Sequence, residues 1–113
     1  MSDCIFCKIG RGEVPAEKTY EDDKVVAFLD IHPKAPGHTL VIPKSHYQWF
    51  YELPDEISDD LFRTAKKLAK QIKEERSADY IRFSIVGTDV PHVHIHLIPR
   101  KFTDTPMGIE TNA

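Results

Sequence analysis

Apolar and polar residues alternate without interruption in the segment 92–97, which reads His-Val-His-Ile-His-Leu. Successive side chains of a β-strand point to opposite faces, so the three histidines would share one face and the apolar residues the other. The β-branched neighbours favour a strand over a helix. The pattern predicts a strand from His92 to Ile98, with one face in the core and the other available for chemistry.

Shorter apolar runs, separated by turn-forming residues, predict the rest of a sheet. The expected strands are Lys18–Glu21, Lys24–Asp30, Thr39–Pro43 and Tyr80–Val86. Asp22 and Asp23 suit the turn of a hairpin between the first two strands. Two prolines and a glycine in the segment 31–37 indicate a loop before the third strand.

One long segment has a different period. Between Asp55 and Arg76, apolar residues recur every three or four positions and charged residues occupy the other face. This predicts an amphipathic helix with Pro54 at its first position, and a short N-terminal helix is expected before Gly10 and Gly12. Strands and helices do not alternate regularly, so we expect an α+β fold with a mainly antiparallel sheet.

Composition limits the kind of protein that this sheet belongs to. The chain has 113 residues, 41% hydrophobic and 29% charged, which is ordinary for a globular protein. We expect one domain over residues 1–102 and a mobile tail over residues 103–113. A net charge of −3 without a basic stripe argues against nucleic-acid binding. Without a membrane-length apolar run or a signal-peptide pattern, the expected location is cytoplasmic.

The histidine row is compatible with three interpretations. It could be a polar surface face, a catalytic metal site built on His-x-His, or a site of nucleophilic catalysis by imidazole. A metal site usually needs a further ligand nearby, but the 17 residues after His96 contain no histidine and offer only Asp104 and Glu110 as carboxylates. A neutral imidazole can attack phosphorus near neutral pH, with donors on either side to hold the phosphate oxygens.

The two cysteines form a separate motif, Cys4-x-x-Cys7. In an intracellular chain this spacing favours metal binding or redox chemistry over a structural disulfide. A thioredoxin-like role is disfavoured because no strand precedes the motif. The remaining alternatives are two ligands of a zinc site and two buried thiols that pack as small apolar groups.

The run His-Val-His-Ile-His-Leu-Ile-Pro, which begins at His92, resembles the signature of the histidine triad (HIT) family. Three further segments resemble the Hint branch of that family, and they occur in the same order. They are the opening Cys4-Ile5-Phe6-Cys7-Lys8-Ile9, the strand end Ala27-Phe28-Leu29-Asp30-Ile31, and the stretch from Pro33 to His46. The resemblance extends from about Asp3 to Arg100.

The resemblance implies a five-stranded antiparallel sheet with one long and one short helix, paired as a homodimer whose sheets continue across the interface. It also implies binding of an adenine or guanine nucleotide. The implied reaction is cleavage at the α-phosphate of nucleoside phosphoramidates or dinucleoside polyphosphates, through a covalent nucleotidyl-histidine and without a catalytic metal.

Roles for individual residues also follow from the resemblance. His94 would be the nucleophile, His96 would contact the phosphate, the carbonyl of His92 would orient His94, and His38 would line the pocket. Asp30 would accept hydrogen bonds from the ribose hydroxyls. The apolar slot for the base would be formed by Ile5, Phe6, Ile9, Phe28 and Ile31. By similarity to zinc-bearing relatives, a structural zinc would be bound by Cys4, Cys7, His46 and His92.

The loop before the histidine row departs from the family pattern. The segment 84–91 is short, lacks the expected Asn, and has Asp89 where a hydroxyl residue would contact phosphate. A carboxylate there would repel a phosphate and could favour a substrate that bears an amine. Thr88 is the candidate to supply the hydroxyl. The altered loop keeps open a second function, that of a nucleotide-binding or zinc-stabilised interaction module with little catalysis.

Overall fold

A computed structural model describes residues 4–105. Over that range, five antiparallel strands form one sheet in the order β1-β2-β3-β5-β4. The strands are β1 (Lys18–Glu21), β2 (Val25–Leu29), β3 (Thr39–Pro43), β4 (Tyr80–Val86) and β5 (His94–Arg100). The helices are α1 (Ile5–Gly10) and α2 (Asp55–Glu75), with a short 3₁₀ turn at Phe50–Glu52. The α+β fold predicted from the sequence is confirmed.

The hairpin of β1 and β2 is closed by Asp22, whose carboxylate accepts hydrogen bonds from the backbone N–H groups of Lys24 and Val25, each at 2.8 Å. Lys24 therefore belongs to the turn, and β2 is shorter than predicted at its start. It is also one residue shorter at its end, at Leu29, although the backbone N–H of Asp30 still donates to the carbonyl of His38 in register with β3.

The prediction that the histidine strand begins at His92 was wrong. The N–H of His92 donates to the carbonyl of Val90 at 2.7 Å, and the N–H of Val93 donates to the carbonyl of Tyr47 at 2.7 Å. The first donor is thus used within a turn and the second by a distant segment, so pairing with β4 starts only at His94.

The sheet has two differently covered faces. Helix α2 packs on one face over a core that includes Val93, Ile95 and Leu97. Helix α1 packs on the other, where Phe6 lies in ring contact with both His92 and His94. The predicted separation of apolar residues from histidines is therefore confirmed.

Helix α2 follows its predicted range to within one residue. It ends at Glu75 instead of Arg76, and Pro54 stands immediately before the first helical residue instead of occupying it. Proline suits this place because an N–H group at the start of a helix has no acceptor within the helix, so no hydrogen bond is lost where proline lacks one. No helix within residues 4–105 combines the length and apolar character needed to cross a bilayer.

Residues 101–105 form a turn after β5. The carboxylate of Asp104 accepts from the N–H of Lys101 at 2.8 Å, and the buried side chain of Arg100 donates to the carbonyl of Thr105. Most of the predicted tail, residues 106–113, lies outside the described residues. The domain boundary at residue 102 stays a prediction.

Candidate active site

A cavity of about 310 Å³ lies between α1, the segment that follows it, and the start of β5. Its lining includes His94, His96, Asp30, Asp89 and the apolar residues of α1 and β2. A larger depression of about 540 Å³ lies beside Arg76 and Arg100 but has no histidine in its lining. The smaller cavity is therefore the candidate active site.

His94 is fixed in direction by its own chain. Its Nδ1 lies 2.8 Å from the backbone carbonyl of His92, and a carbonyl can only accept a hydrogen bond, so Nδ1 bears the proton. Nε2 is then the nitrogen with the free lone pair. The side chain is 1% exposed and lines the cavity, so this lone pair is held in a desolvated place.

The ring of His92 is fixed through Nε2, whereas that of His94 is fixed through Nδ1. Its Nε2 donates to the carbonyl of Pro43 at 2.8 Å, which leaves the Nδ1 lone pair free. That nitrogen faces the sulfur atoms of Cys4 and Cys7, at 3.5 and 3.4 Å. Two neighbouring histidines therefore present different nitrogens to different sites.

His38 and His96 form a directed pair. The backbone N–H of Lys34 donates to Nδ1 of His38 at 3.0 Å, so the proton of His38 is on Nε2. That Nε2 lies 2.9 Å from Nδ1 of His96, which must accept. The proton of His96 is consequently on Nε2, as a hydrogen-bond donor. His38 is 1% exposed and lies behind His96, outside the set of cavity-lining residues.

Burial keeps these imidazoles neutral. It is the main cause that lowers the pKa of His92 to about 4 and that of His96 to about 4. Burial also lowers the pKa of His38, although the nearby carboxylate of Asp30 acts in the opposite direction. Near neutral pH these rings therefore act through fixed lone pairs and N–H groups.

Asp30 follows β2 at the edge of the cavity. One carboxylate oxygen accepts from the backbone N–H of His32 at 3.0 Å, and the other lies 3.5 Å from Nε2 of His38. Asp30, His38 and His96 also bring ligand atoms within 4.8 Å of one another, so this group has the composition of a metal site. In the described structure, Nε2 of His38 is directed at His96.

The predicted base-binding residues come together along one wall of the cavity. Phe6 packs edge-on against Phe28, with ring centroids 5.5 Å apart, and against His94, at 5.0 Å. Ile9 is buried beside them, whereas Ile5 and Ile31 are exposed at the rim. All five residues line the cavity.

The loop before β5 brings Asp89, and not Thr88, to the cavity. A carboxylate oxygen of Asp89 lies 3.6 Å from Nε2 of His94, although the Asp89 side chain is 75% exposed. Thr88 is exposed and is not among the lining residues. The role proposed for Thr88 stays a prediction.

This loop is anchored to the segment after β3. The side chain of Gln48 donates to the carbonyl of Gly87 at 3.1 Å. A Cβ atom at Gly87 would lie 1.9 Å from the carbonyl oxygen of Gln48, so a larger residue would force the two segments apart. The position of Asp89 is thus set by a close backbone contact.

Cys4, Cys7, His46 and His92 form a compact cluster whose ligand atoms all lie within 4.8 Å of one another. Cys7 Sγ lies 3.1 Å from Nδ1 of His46 and 3.4 Å from Nδ1 of His92. Around a tetrahedral zinc, with Zn–S of about 2.3 Å and Zn–N of about 2.0 Å, such atoms lie about 3.5 Å apart. The donor set therefore fits zinc.

The protonation of the cluster also suits a metal site. Burial and the neighbouring Cys4 raise the pKa of the Cys7 thiol, so this thiol keeps its proton when no cation is bound. A bound cation would displace that proton. The hydrogen bond from His92 to Pro43 would hold its ring in the orientation that a ligand requires.

Comparison with known proteins identifies the family. A model of the HIT domain matches residues 11–103 of the chain. The chain belongs to the HIT family. An uncharacterised HIT-like protein of Methanocaldococcus jannaschii is 46% identical over 104 residues, which cover 86% of this chain and 78% of that protein.

Two further relatives of this HIT protein bear on its chemistry. The adenosine 5′-monophosphoramidase of Candida albicans is 38% identical over 115 residues, which cover 94% of this chain and 76% of that enzyme. The crystal structure of a zinc-bound histidine triad protein from Mycobacterium smegmatis matches with a TM-score of 0.84 and 34% identity, covering 91% of this chain and 78% of that one.

Sequence reasoning about this HIT protein missed part of the cavity wall. Val14, Pro15 and Ala16 line it, as does Val90. The apolar character of the first three, just after the turn-forming Gly12 and Glu13, was the available signal. Gln48 was also missed, because nothing in the sequence indicates its contact with Gly87.

Proposed function

We propose that this HIT protein hydrolyses nucleoside phosphoramidates or dinucleoside polyphosphates at the α-phosphate, with His94 as a covalent nucleophile. The observation that supports this most directly is the hydrogen bond from Nδ1 of His94 to the carbonyl of His92, which in the neutral ring puts the lone pair on Nε2, at the cavity. The similarity to an adenosine 5′-monophosphoramidase points to the same chemistry.

In the first step, the Nε2 lone pair of His94 forms a bond to the α-phosphorus. The bond from phosphorus to the leaving group breaks, and its electron pair goes to the leaving atom. For a phosphoramidate, the leaving nitrogen takes a proton from solvent at the open side of the cavity. The proton on Nδ1 of His94 stays in its hydrogen bond, so the ring becomes cationic while it holds the nucleotidyl group.

In the second step, water attacks the phosphorus. The P–Nε2 bond breaks and its electron pair returns to His94, while the proton of the water is released to solvent. The products are the nucleoside monophosphate and the free enzyme. Splitting one displacement into two steps lowers the barrier that either step must cross.

His96 would stabilise charge on the phosphate. Its Nε2–H is set by the chain of hydrogen bonds from Lys34 through His38, so the donor has its direction before substrate arrives. A fixed donor in a buried site stabilises developing negative charge more than a mobile one. Thr88, in the loop before β5, is proposed as a further donor once substrate is bound.

The nucleoside would occupy the apolar wall. The base would lie against Phe6, Ile9 and Phe28, with Ile5 and Ile31 at the rim, and the carboxylate of Asp30 would accept hydrogen bonds from the ribose hydroxyls. The base is proposed to be adenine or guanine.

Zinc would have a structural role. Cys4, Cys7, His46 and His92 would hold it, and four protein ligands leave no position for substrate. The metal would supply cross-linking, because it would join α1, the segment after β3 and the start of the catalytic strand. The zinc-bound relative supports this assignment.

A homodimer is proposed through the edge of the sheet formed by β4. Phe83 on this strand and Phe62 on α2 are both exposed, with ring centroids 6.2 Å apart. Light scattering should give the mass of two chains for the native protein and of one chain for Phe83→Ser. The matched control is Tyr51→Ser, which removes an aromatic ring that is 71% exposed elsewhere. A monomeric native protein would refute the dimer.

The test of the proposed reaction is release of AMP from adenosine 5′-phosphoramidate. We expect turnover by the native protein and a fall of at least about 10⁴-fold in His94→Ala. Acid quenching of the native protein during turnover should trap one nucleotidyl group on His94, detectable by peptide mass.

Treatment with a chelator distinguishes a histidine nucleophile from a catalytic metal. Turnover that survives brief treatment with EDTA supports a histidine nucleophile with structural zinc. Immediate loss of turnover with EDTA would favour a catalytic metal at Asp30, His38 and His96. A folded native protein that binds AMP but hydrolyses neither class of substrate would be an interaction module.

A further inference from the structure

We propose that Asp89 selects substrates whose leaving group carries a positive charge, namely phosphoramidates of amines that bear a second, cationic amine. This deepens the proposed function and rests on it. Of the two substrate classes considered above, it favours phosphoramidates and disfavours polyphosphates.

The first support is the position of Asp89. Its carboxylate oxygen lies 3.6 Å from Nε2 of His94, so it stands beside the place where phosphorus would bond. The nucleoside would lie on the apolar side of the cavity against α1. In an in-line displacement the leaving group departs from the side of phosphorus away from Nε2, and the carboxylate of Asp89, which is open to solvent beside that phosphorus, is close enough to act on its charge.

The second support is the charge of the cavity wall. Among the described residues that line it there are two carboxylates, Asp30 and Asp89, and neither a lysine nor an arginine. A dinucleoside polyphosphate would bring additional negative charges to this wall without a cationic side chain to neutralise them. A phosphoramidate has one negative charge at phosphorus, and a cationic leaving group would offset it beside Asp89.

The third support is that the loop holds Asp89 in place. Gly87 is in backbone contact with Gln48, and the carbonyl of Val90 accepts from the N–H of His92 at 2.7 Å. The backbone on both sides of Asp89 is therefore constrained. The carboxylate can rotate about its side-chain bonds, but the loop cannot remove it from the cavity without breaking these contacts.

The reaction itself is unchanged by this selection. The P–N bond breaks, the leaving nitrogen takes one proton from solvent, and the diamine departs with its distal ammonium group intact. Asp89 neither gives nor takes a proton. It acts on the charge of the group that leaves, so its effect should depend on that charge and not on the bond that is cleaved.

The test uses three adenosine 5′-phosphoramidates with the same P–N bond. Their substituents on nitrogen are 2-aminoethyl, which is cationic, propyl, which is neutral, and carboxymethyl, which is anionic. The amines differ in leaving ability, so the quantity to compare is the ratio of kcat/KM for the cationic and anionic substrates, in the native protein and in each variant.

We expect Asp89→Asn to reduce this ratio by about 10-fold, which corresponds to about 1.4 kcal/mol. Asp89→Glu should retain most of the preference because it keeps the charge. The matched control is Asp59→Asn, which makes the same change on the exposed surface of α2, the helix that covers the other face of the sheet. Its ratio should equal that of the native protein.

An unchanged ratio in Asp89→Asn would overturn the proposal, as would an equal change in Asp59→Asn. Binding of the three compounds to His94→Ala, by calorimetry, gives an independent measurement that needs no turnover. One outcome would refute the hydrolase activity but support selection by Asp89. In it, the native protein shows no turnover, and His94→Ala binds the cationic compound more tightly than the anionic one, a preference that disappears in His94→Ala/Asp89→Asn. Turnover without any charge preference would support the hydrolase activity and refute selection by Asp89.

Discussion

Two groups of histidines stand on the same face of the sheet and differ in which nitrogen they present. In the cysteine–histidine cluster, His92 and His46 direct Nδ1 towards sulfur. In the cavity, His94 and His96 both present Nε2. In His94 this nitrogen carries the lone pair, and in His96 it carries the proton. In the proposed function, one residue type thus provides ligands in one place and a nucleophile and a donor in the other.

The difference is made by backbone groups. The carbonyl of Pro43 accepts a hydrogen bond from Nε2–H of His92, while the carbonyl of His92 accepts one from Nδ1–H of His94. The amide of Lys34 sets the direction of the His38–His96 pair. Imidazoles with similar burial are assigned to different chemistry by the acceptor or donor that the main chain offers.

The largest effect is expected from breaking the cysteine–histidine cluster. Cys7→Ser should lose zinc and lower the unfolding midpoint by more than about 10 °C, because the metal would cross-link segments far apart in the sequence. Metal analysis and thermal unfolding measure the two effects. EDTA-treated native protein is the reference and should unfold near the same temperature as the variant.

The variant His92→Ala tests whether the cysteine–histidine cluster and the histidines of the cavity act separately. It removes the proposed zinc ligand but keeps the backbone carbonyl that orients His94, so zinc should be lost while turnover at a temperature well below unfolding falls less than in His94→Ala. Equal loss of turnover in the two variants would mean that the two histidine groups are not separable. Retention of zinc by Cys7→Ser and His92→Ala would refute the cluster as its site.

A smaller effect is expected from pH. Burial holds the pKa of His96 at about 4, below the value of about 6.5 in an unfolded chain, and lowers that of His38 as well. The unfolded chain therefore binds protons first as the pH falls. Stability is complete above about pH 6.5 and decreases towards pH 4. His96 alone accounts for a loss of roughly 2 kcal/mol between pH 7 and pH 5, and His92 and His38 add to it.

Urea unfolding of EDTA-treated protein at both pH values measures this change without a contribution from metal release. His96→Asn should reduce the dependence by roughly 2 kcal/mol between pH 7 and pH 5, whereas His32→Asn should leave it unchanged, because the His32 side chain is exposed. A slope that is the same in His96→Asn and in the native protein would contradict the assignment of the effect to burial.

The smallest effect is expected from the His38–His96 pair. In His38→Ala, Nδ1 of His96 loses the donor that fixes its proton on Nε2, so kcat should fall by about 10-fold to 100-fold with little change in KM. The zinc content should stay at the native value, since His38 is outside the cluster. A normal kcat in His38→Ala would show that the direction of His96 does not need this partner.

Most of the fold could be predicted because it depends on local patterns. The strands Thr39–Pro43 and Tyr80–Val86 begin and end where their apolar runs do. The start of β5 could not, because the N–H of Val93 is taken by Tyr47, a residue 46 positions earlier in the chain. An alternating pattern shows which residues share a face but not where the ladder of hydrogen bonds begins.

The candidate site was predictable in its residue types and only partly in the directions of its side chains. The group that orients His94 is the carbonyl two residues earlier in the same motif. The choice of nitrogen in His92 and His96 instead depends on Pro43 and Lys34, which are distant from them in sequence. The 3.6 Å approach of Asp89 to His94 likewise depends on the contact between Gly87 and Gln48. Such directions follow from the tertiary fold alone.

The contact between Cys4 and His92 has a consequence for the order of folding. It joins residues 88 positions apart, so it closes a loop that contains most of the domain. Closing so long a loop is entropically unfavourable until intervening segments are already folded. As the chain is synthesised, the cysteines emerge before the histidine strand, so the cysteine–histidine cluster and the candidate active-site cavity are completed together, in the last stage of assembly.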